Sequence, residues 1–241
     1  MCSDFMKRVP TGIDGLDVLM QGGLPQASAV LVSGGPGTGK TIMATQFLYK
    51  GAKDFGETGL FVTLETNLKN ITWNMENFDW DIKSLQEKEL FKIYKLNLSG
   101  RRKEDVEDQI FEELDVISEM VEKNNIKRLV IDSTTALGTW VKEQGSLRSM
   151  LFNFIDGLKK LDCTTLLTAE TKGGKNDFSA FGVEEFISDG VIALYFSPPF
   201  RSIFIRKLRG TNHSIAPHPY NITERGILVK SKDEILWESI K

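Results

Sequence analysis

The stretch GGPGTGKT, residues 34–41, decides the fold of this chain. It matches the phosphate-binding pattern G-x-x-x-x-G-K-[ST] at every fixed position. The apolar run ASAVLVSG (27–34) before it predicts a buried strand, and TIMATQFLYKGAKDF (41–55) after it has apolar residues at helical spacing. Because a glycine-rich loop between a buried strand and a helix is the context in which this motif works, the stretch predicts a nucleotide-binding α/β fold.

The loop has the residue types that hold a nucleoside triphosphate. Its glycines let backbone N–H groups turn toward phosphate oxygens, and the helix that starts at Gly39 or Lys40 adds its positive N-terminal end. We expect Lys40 to reach the β- and γ-phosphates and Thr41 to hold Mg²⁺ through its hydroxyl. The predicted contacts with ATP are Gly35, Pro36, Gly37, Thr38, Gly39, Lys40, Thr41 and Ile42.

Strand-like and helix-like segments alternate through most of the chain. Further strands are predicted at 59–65, 91–96, 128–133 and 164–170, and helices at 67–78, 104–124 and 145–161. This alternation predicts βαβ units and a mostly parallel central sheet flanked by helices.

In the C-terminal part of the chain, strand-like segments follow one another without helices between them. Strand-like runs at 190–197, 201–210 and 220–230 follow one another with short connections, which predicts an antiparallel β extension. No stretch of the chain reads as a linker, so we expect one domain over residues 1–241.

Two acidic residues at strand ends complete the expected site. Asp132 ends LVID (129–132) and is expected to hold a magnesium-bound water, although a strand-end aspartate also caps a following helix in many proteins. Glu65 ends FVTLE (61–65), a strand that we expect next to the P-loop strand, in the crevice where ligands bind. We expect Glu65 to activate the attacking water; a solvated strand-end glutamate is the alternative.

Composition and charge narrow the class of protein. The formal net charge is −3, whereas a dedicated duplex-DNA binder is usually more basic. There is no apolar run of about eighteen residues, and the N-terminus lacks the apolar core of a signal peptide. Cys2 and Cys163 share no metal-like spacing and are interpreted as free thiols of a reducing compartment. These features predict a cytoplasmic protein without a membrane partner.

A pair of cations lies near the end of the strand-like run RSIFIRKLRG (201–210). Lys207 and Arg209 are two residues apart, so a strand places both on one face. Two neighbouring cations need an anion or open water. A solvated edge that discourages aggregation is one interpretation, and an anion outside this segment is the other.

The chain resembles the KaiC-like ATPases, which are single RecA-type P-loop NTPase modules related to KaiC and to the RadA recombinases. The resemblance covers roughly residues 8–230, and its last two segments are far more specific than the P-loop alone. The segments, in the same order and with similar spacing, are TGIDGLDVLMQGGLP (11–25), GGPGTGKT (34–41), LFVTLET (60–66), LVIDS (129–133), FGVEEFISDGVIALY (181–195) and KLRGTNH (207–213).

The resemblance implies hydrolysis of ATP with Mg²⁺ at the subunit interfaces of a homo-oligomeric ring, expected to be a hexamer, that acts as a nucleotide-driven switch or scaffold. By this analogy Lys207 and Arg209 reach the γ-phosphate of the neighbouring subunit, and His213 lies close to the same nucleotide. Asn77 corresponds to a nucleotide contact of the family. The positions that correspond to contacts with the base or sugar across the interface are Leu208, Thr211, Thr223 and Glu224.

The sequence departs from the family pattern and leaves two alternatives open. Family members usually have two glutamates in a row where this chain has Glu65 and Thr66, so one carboxylate remains for water activation. A recombinase-like module is one alternative, in which KGGKNDFSAFG (172–182) binds single-stranded DNA through Lys172 and Lys175 and stacks bases on Phe178 and Phe181. A flexible surface or interface loop is the competing interpretation of this segment. The other alternative is a serine/threonine kinase acting on itself or on a partner.

Overall fold

The computed structural model describes residues 7–64, 71, 75–98, 106–138, 140–141, 143–172 and 174–240. Within these residues the architecture is an α/β fold built on a nine-stranded sheet, with a separate ribbon of β1 (Arg8–Val9) and β2 (Leu24–Pro25). The strands of the sheet, in chain order, are β3 (Ala29–Gly34), β4 (Gly59–Thr63), β5 (Phe91–Lys95), β6 (Arg128–Asp132), β7 (Thr164–Glu170), β8 (Gly190–Ser197), β9 (Phe200–Leu208), β10 (His218–Thr223) and β11 (Gly226–Val229).

In the described part of the chain, three long helices and several short ones pack on this sheet. Their bounds are α1 (Leu16–Leu19), α2 (Lys40–Phe55), α3 (Ile82–Glu87), α4 (Val106–Lys123), α5 (Thr134–Leu137), α6 (Gln144–Lys159) and α7 (Glu184–Ile187), followed by a 3₁₀ turn at Trp237–Ser239. On β3, Val30 and Val32 pack in the core that contains α2, whereas Leu31 packs in the core that contains α4 and α6. The alternation of side chains along the strand therefore places helices on both faces of the sheet.

The strand order is β11–β10–β9–β8–β3–β7–β6–β4–β5. Strands β5, β4, β6, β7, β3 and β8 pair in parallel, and β8, β9, β10 and β11 pair in antiparallel fashion. The predicted fold is thus confirmed: a mostly parallel sheet flanked by helices, with an antiparallel extension at its C-terminal side.

The expected position of β4 is wrong. The sequence analysis placed it next to the P-loop strand β3, but β7 and β6 lie between them. The chain crosses two strand positions between β3 and β4, and the two later strands fill the gap. Thr63 at the end of β4 consequently lies opposite Asp132 of β6.

One local expectation also differs from the structure, and one short helix was not predicted. The segment 220–230 is a hairpin of β10 and β11 rather than one strand, and its turn is followed by Gly226 at φ 102°. A side chain at Gly226 would collide with Gln46 and Trp80, which lie 2.4 and 2.6 Å from an added Cβ. Much of the helix predicted at 67–78 falls on residues outside those that the structure describes. The short helix α3 was not predicted; Asp81 caps it by accepting a 3.0 Å hydrogen bond from the backbone N–H of Ser84.

No helix in the described part of the chain combines the length and the apolar character that crossing a bilayer would require.

Candidate nucleotide-binding site

The P-loop connects the carboxyl end of β3 with the first turn of α2. Gly39 is the N-cap of α2 and has a left-handed backbone at φ 93°. A Cβ at Gly39 would also lie 3.0 Å from Cδ1 of Ile222. Glycine therefore fits this position because of both its backbone conformation and the lack of space for a side chain. Because Gly39 has no side chain to cap the helix, the first N–H groups of α2 remain available to an anion. Ile42, in the same turn, is partly buried against the core.

Other side chains hold the loop by its carbonyl groups. The hydroxyl of Thr38 is buried and donates a 2.8 Å hydrogen bond to the carbonyl of Gly35. Tyr220 donates its hydroxyl to the carbonyl of Thr38, and Nε of Arg201 lies 3.3 Å from the carbonyl of Gly37. Burial raises the pKa of Tyr220, which keeps its hydroxyl protonated as a donor. These contacts use carbonyl oxygens and leave N–H groups of the loop for a ligand.

The ammonium group of Lys40 folds back over the loop. Its Nζ donates hydrogen bonds of 2.9 and 3.1 Å to the carbonyls of Gly34 and Gly35. Burial lowers the pKa of Lys40, and the nearby carboxylates of Glu170 and Asp132 oppose that shift. A cation at the mouth of the loop, with two acidic neighbours, is well placed to exchange its carbonyl partners for phosphate oxygens.

Thr41 and Asp132 meet although they are far apart in sequence. The hydroxyl of Thr41 donates a 2.9 Å hydrogen bond to Oδ2 of Asp132, and Thr168 donates to the other carboxylate oxygen. Among the described residues no group of three or more His, Cys, Asp or Glu side chains has an arrangement that could hold a metal. One carboxylate and one hydroxyl fit Mg²⁺ nonetheless, because this ion is usually held by one or two carboxylates together with substrate phosphates and water.

The end of β7 adds two residues that the sequence analysis missed. Thr168 contacts Asp132, and Glu170 lies opposite Gly34 in the register of β3 and β7. The backbone N–H of Glu170 donates a 2.8 Å hydrogen bond to Oγ1 of Thr135. The signal was present, because TTLLTAE (164–170) ends in a carboxylate just as LVID does, but its adjacency to the P-loop strand is visible only in the sheet order.

Glu65, the expected base, lies outside the described residues. Leu64, the last described residue before it, lies next to Asp132. The backbone N–H of Leu64 donates a 3.1 Å hydrogen bond to the carbonyl of Asp132.

The segment KLRGTNH (207–213) lies at the opposite edge of the sheet from the P-loop. Leu208 is opposite Gly190 in the pairing of β9 with β8, and Gly190 is opposite Val30 in the pairing of β8 with β3. Gly34, where the P-loop begins, is four residues further along β3, a distance of about 13 Å at the usual rise of a parallel strand. The segment and the P-loop of one chain are therefore separated by the length of β3.

The two cations of this segment have partners within the chain. Lys207 donates a 2.6 Å hydrogen bond to the carbonyl of Glu185, and Nη1 of Arg209 lies 3.2 Å from Oδ1 of Asp189. Burial lowers the pKa of Lys207, and the adjacent Arg209 contributes to the same shift. Both side chains line an open groove of about 580 Å³ that also includes the exposed Phe186. Asp189 is therefore one anion that the pair of cations contacts. The groove also has room for a second anion from outside the chain.

Other residues of the segment also have partners within the chain. Nη1 of Arg8 donates to the hydroxyl of Thr211. Nδ1 of His213 is 2.8 Å from the carbonyl of Ser214. Leu208 is buried in the core.

Comparison with known proteins places this geometry in a family. A family model described as "ATPase: KaiC" matches residues 9–234. The chain belongs to the KaiC family of ATPases.

Similar proteins match more than nine-tenths of the KaiC-family chain. A UPF0273 protein of Methanocaldococcus jannaschii is 37% identical over 236 residues, which is 93% of this chain and 96% of that protein. The circadian clock oscillator protein KaiC of a Picosynechococcus species is 37% identical over 227 residues, covering 92% of this chain but 44% of KaiC. The crystal structure of a KaiC-like protein from Pyrococcus horikoshii superposes with a TM-score of 0.82 at 37% identity, covering 93% of this chain and 99% of that one.

In this KaiC-family chain, Thr223 and Glu224 lie at the turn of the β10–β11 hairpin. Two hydrogen bonds of 2.7 and 3.2 Å join Gln46 of α2 to the backbone of the hairpin. The carbonyl of Glu224 accepts a 2.9 Å hydrogen bond from the N–H of Asp79. Asn77 is exposed in the turn that contains Asp79. The three expected contact residues therefore lie around the helix that begins at this chain's own P-loop.

Part of the loop that was considered for DNA binding in the KaiC-family chain packs against the core. Phe178 and Phe181 are partly buried against the core formed by α4 and α6. Nζ of Lys175 lies 5.6 Å from the ring centre of Trp237, whereas Lys172 is exposed. The aromatic rings that would stack on bases are thus used within the chain.

Proposed function

We propose that the chain binds Mg–ATP at its P-loop and hydrolyses it, and that a neighbouring copy in a homo-oligomeric ring, expected to be a hexamer, completes each site. The nucleotide state of the ring would serve as a switch or scaffold. The observation that carries the proposal is the hydrogen bond from Thr41 to Asp132, with Lys40 beside them. It joins the parts of a phosphoryl-transfer site that the sequence separates.

One chain supplies the binding half of the proposed site. Backbone N–H groups of residues 35–42 and the ammonium of Lys40 would hold the phosphates. Thr41 and Asp132 would hold Mg²⁺, which neutralises phosphate charge when it is bound. Glu65 would orient or deprotonate the attacking water. Asn77, Thr223 and Glu224 lie around the chain's own P-loop helix. For Thr223 and Glu224 we therefore replace the contact across the interface that the resemblance implied, and we propose that all three contact the base or sugar of the chain's own nucleotide.

A neighbouring copy would supply the second half. Lys207 and Arg209 lie at the far edge of the sheet and line an open groove, so their own P-loop is out of reach. A second copy whose P-loop faces this groove would bring a triphosphate to them, with Leu208, Thr211 and His213 next to it. In other nucleotide hydrolases an arginine supplied in this way is worth about 10³–10⁵ in rate. Such a head-to-tail contact closes into a ring when the rotation between copies permits it.

A mixing experiment tests both halves. Lys40→Ala removes the phosphate-binding lysine and Arg209→Ala removes the groove cation, so each variant alone should lose Mg²⁺-dependent ATP turnover. In mixed oligomers, a Lys40→Ala copy still offers Arg209 to the intact P-loop of an Arg209→Ala copy. Random mixing at equal amounts should restore roughly a quarter of the interfaces, and turnover should recover accordingly.

The outcomes separate the two parts of the proposal. Absence of Mg²⁺-dependent turnover in the wild-type oligomer would reject the ATPase. Turnover by the wild type without recovery in oligomers shown to be mixed would reject the contribution across the interface.

The same assay distinguishes the recombinase-like alternative. Because Phe178 and Phe181 are partly buried against the core, we expect turnover at fixed low salt to be indifferent to single-stranded DNA. Strong stimulation by DNA would favour the alternative and make Lys172 and Lys175 the next residues to change. Incubation with γ-labelled ATP tests the kinase alternative, and we expect no labelled protein.

A further inference from the structure

A carboxylate lies among cations at the edge of the sheet opposite the P-loop. Oδ1 of Asp189 accepts hydrogen bonds of 2.8 Å from Nζ of Lys159 and 3.2 Å from Nη1 of Arg209. Oδ2 accepts a 3.1 Å hydrogen bond from the backbone N–H of Ala29. Lys207, on the same strand end, donates instead to the backbone carbonyl of Glu185 in α7. Three separate parts of the chain, at α6, β3 and the end of β9, therefore meet on Asp189.

Asp189 is held firmly, whereas Arg209 is not. The side chain of Asp189 is 17% exposed and that of Arg209 is 59% exposed. The backbone N–H of Asp189 donates to the carbonyl of Ala29 at 2.8 Å, and the carbonyl of Asp189 accepts from the N–H of Arg209 at 2.9 Å. The carboxylate of Asp189 is therefore held in one position beside the long and largely exposed side chain of Arg209.

The contact between them uses a small part of the guanidinium. A guanidinium is planar and has five N–H donors, and bidentate binding of a phosphate needs two of them on one edge. Among the described residues, Asp189 is the hydrogen-bond acceptor found for the side chain of Arg209, and Nη1 is the donor. Fixing one nitrogen of a planar group restricts the direction of the whole fork while other donors remain available.

We propose that Asp189 is a positioning residue, which holds one nitrogen of Arg209 so that the rest of the guanidinium is presented to the phosphates of a nucleotide bound by the neighbouring copy. This inference rests on the proposed function, in which Arg209 acts across the interface. Lys159 contributes to the same arrangement. Its ammonium neutralises the charge of Asp189 and so reduces the repulsion between this carboxylate and an incoming phosphate.

Asp189→Asn in the full chain, assayed as the assembled oligomer, tests the proposal. The variant keeps the shape of the side chain and removes its charge. We expect kcat to fall about tenfold while KM for ATP changes less than about twofold, since the phosphate-binding half of the site is untouched. Asp162→Asn is the matched control: its carboxylate is 80% exposed and lies 4.0 Å from a lysine, so kcat should stay at the wild-type value.

A double-mutant cycle separates positioning from a structural role. In an Arg209→Ala background, where the residual hydrolysis is followed as a single turnover with protein in excess of ATP, Asp189→Asn should cause no further loss of rate, because the group that it orients is gone. Equal losses in both backgrounds would overturn the proposal, as would a wild-type kcat for Asp189→Asn while Arg209→Ala is inactive. An Arg209→Ala variant with wild-type turnover would instead reject the proposed function.

A second variant keeps the test decisive if Asp189→Asn does not fold. Arg209→Lys retains the charge but has no planar fork to be oriented, so its kcat should fall nearly as far as that of Arg209→Ala. Wild-type kcat in Arg209→Lys would show that orientation of a fork is not needed, and would overturn the proposal without any change at Asp189.

Discussion

The hydroxyl of Thr41 donates a 2.9 Å hydrogen bond to the carboxylate of Asp132, 91 residues further along the chain. The other carboxylate oxygen accepts the hydroxyl of Thr168, so the first turn of α2 and the ends of β6 and β7 are joined. Hydroxyl and carboxylate oxygens are ligands that Mg²⁺ prefers. The protein therefore brings the oxygens of the proposed metal site together through its own hydrogen bonds.

The first prediction concerns the dependence of nucleotide binding on magnesium. In Asp132→Asn and in Thr41→Ala, we expect ATP affinity in EDTA to be close to that of the wild type. The gain in affinity on adding Mg²⁺ should fall by about tenfold or more, and turnover by about 100-fold, because each variant loses a group that holds Mg²⁺ directly or through its bound water. Thr41→Ser, which keeps the hydroxyl, is the control. Titrations of a fluorescent nucleotide with and without Mg²⁺ measure this, and an unchanged gain in both variants would exclude the pair as the metal site.

The second prediction concerns stability. Arg128 is fully buried against α2, where its Nε donates a 2.6 Å hydrogen bond to Glu57 and its Nη1 a 2.9 Å bond to the carbonyl of Phe47. A Cβ at Gly51 would lie 2.3 Å from Cδ and Nε of Arg128. Gly51→Ala should therefore displace a buried cation from its partners and lower the free energy of unfolding by about 3 kcal/mol.

Gly145→Ala provides the control for this prediction. Gly145 lies in the first turn of α6, and an added Cβ there meets nothing within 4 Å. Its free energy of unfolding should change little or rise by up to about 1 kcal/mol, because alanine favours the helix. Unfolding in urea measures both variants; equal midpoints for the two would show that Gly51 is not needed to accommodate Arg128.

Local features of the site were predictable because neighbouring residues decide them. The strand before the P-loop ends at Gly34 and the helix after it begins at Lys40, as the motif and the hydrophobic pattern indicate. The turn between β10 and β11 was missed because Glu224 and Arg225 are not typical turn residues, and the glycine that permits the turn comes after them.

Long-range features were not predictable because they depend on the order of the strands. The strand that leads to Glu65 was placed beside β3, but the later strands β6 and β7 insert between them. The same insertion brings Glu170 next to Gly34. The antiparallel return of β9 along β8 was predicted, but the pairing of Arg209 with Asp189 depends on its register, which shifts between Val191 and Ile192 and which no short sequence pattern specifies.

The third prediction concerns the base. Glu65→Gln should bind ATP as tightly as the wild type but turn it over about 100-fold more slowly, since loss of a general base costs about 10²–10⁴ in rate. Glu89→Gln is the control, because the carboxylate of Glu89 is 83% exposed on the surface. Steady-state turnover and nucleotide titration measure the two effects. Unchanged turnover in Glu65→Gln, together with inactive Glu170→Gln, would transfer the role to the carboxylate at the end of β7.

The fourth prediction concerns the pH dependence of ATP binding. Burial lowers the pKa of Lys40 from its usual 10.5, and Glu170 opposes that shift. ATP binds the protonated ammonium of Lys40. The affinity for ATP should therefore fall as the pH rises through the pKa of Lys40 in the nucleotide-free protein, and this fall should occur at a lower pH than for an exposed lysine. Glu170→Gln removes an interaction that raises this pKa and should move the fall to lower pH. Lys40→Arg stays charged, so its weaker affinity should be flat from neutral pH to about 10. Titrations of nucleotide across this range measure all three proteins, and parallel declines in the wild type and Lys40→Arg would assign the pH dependence to another group.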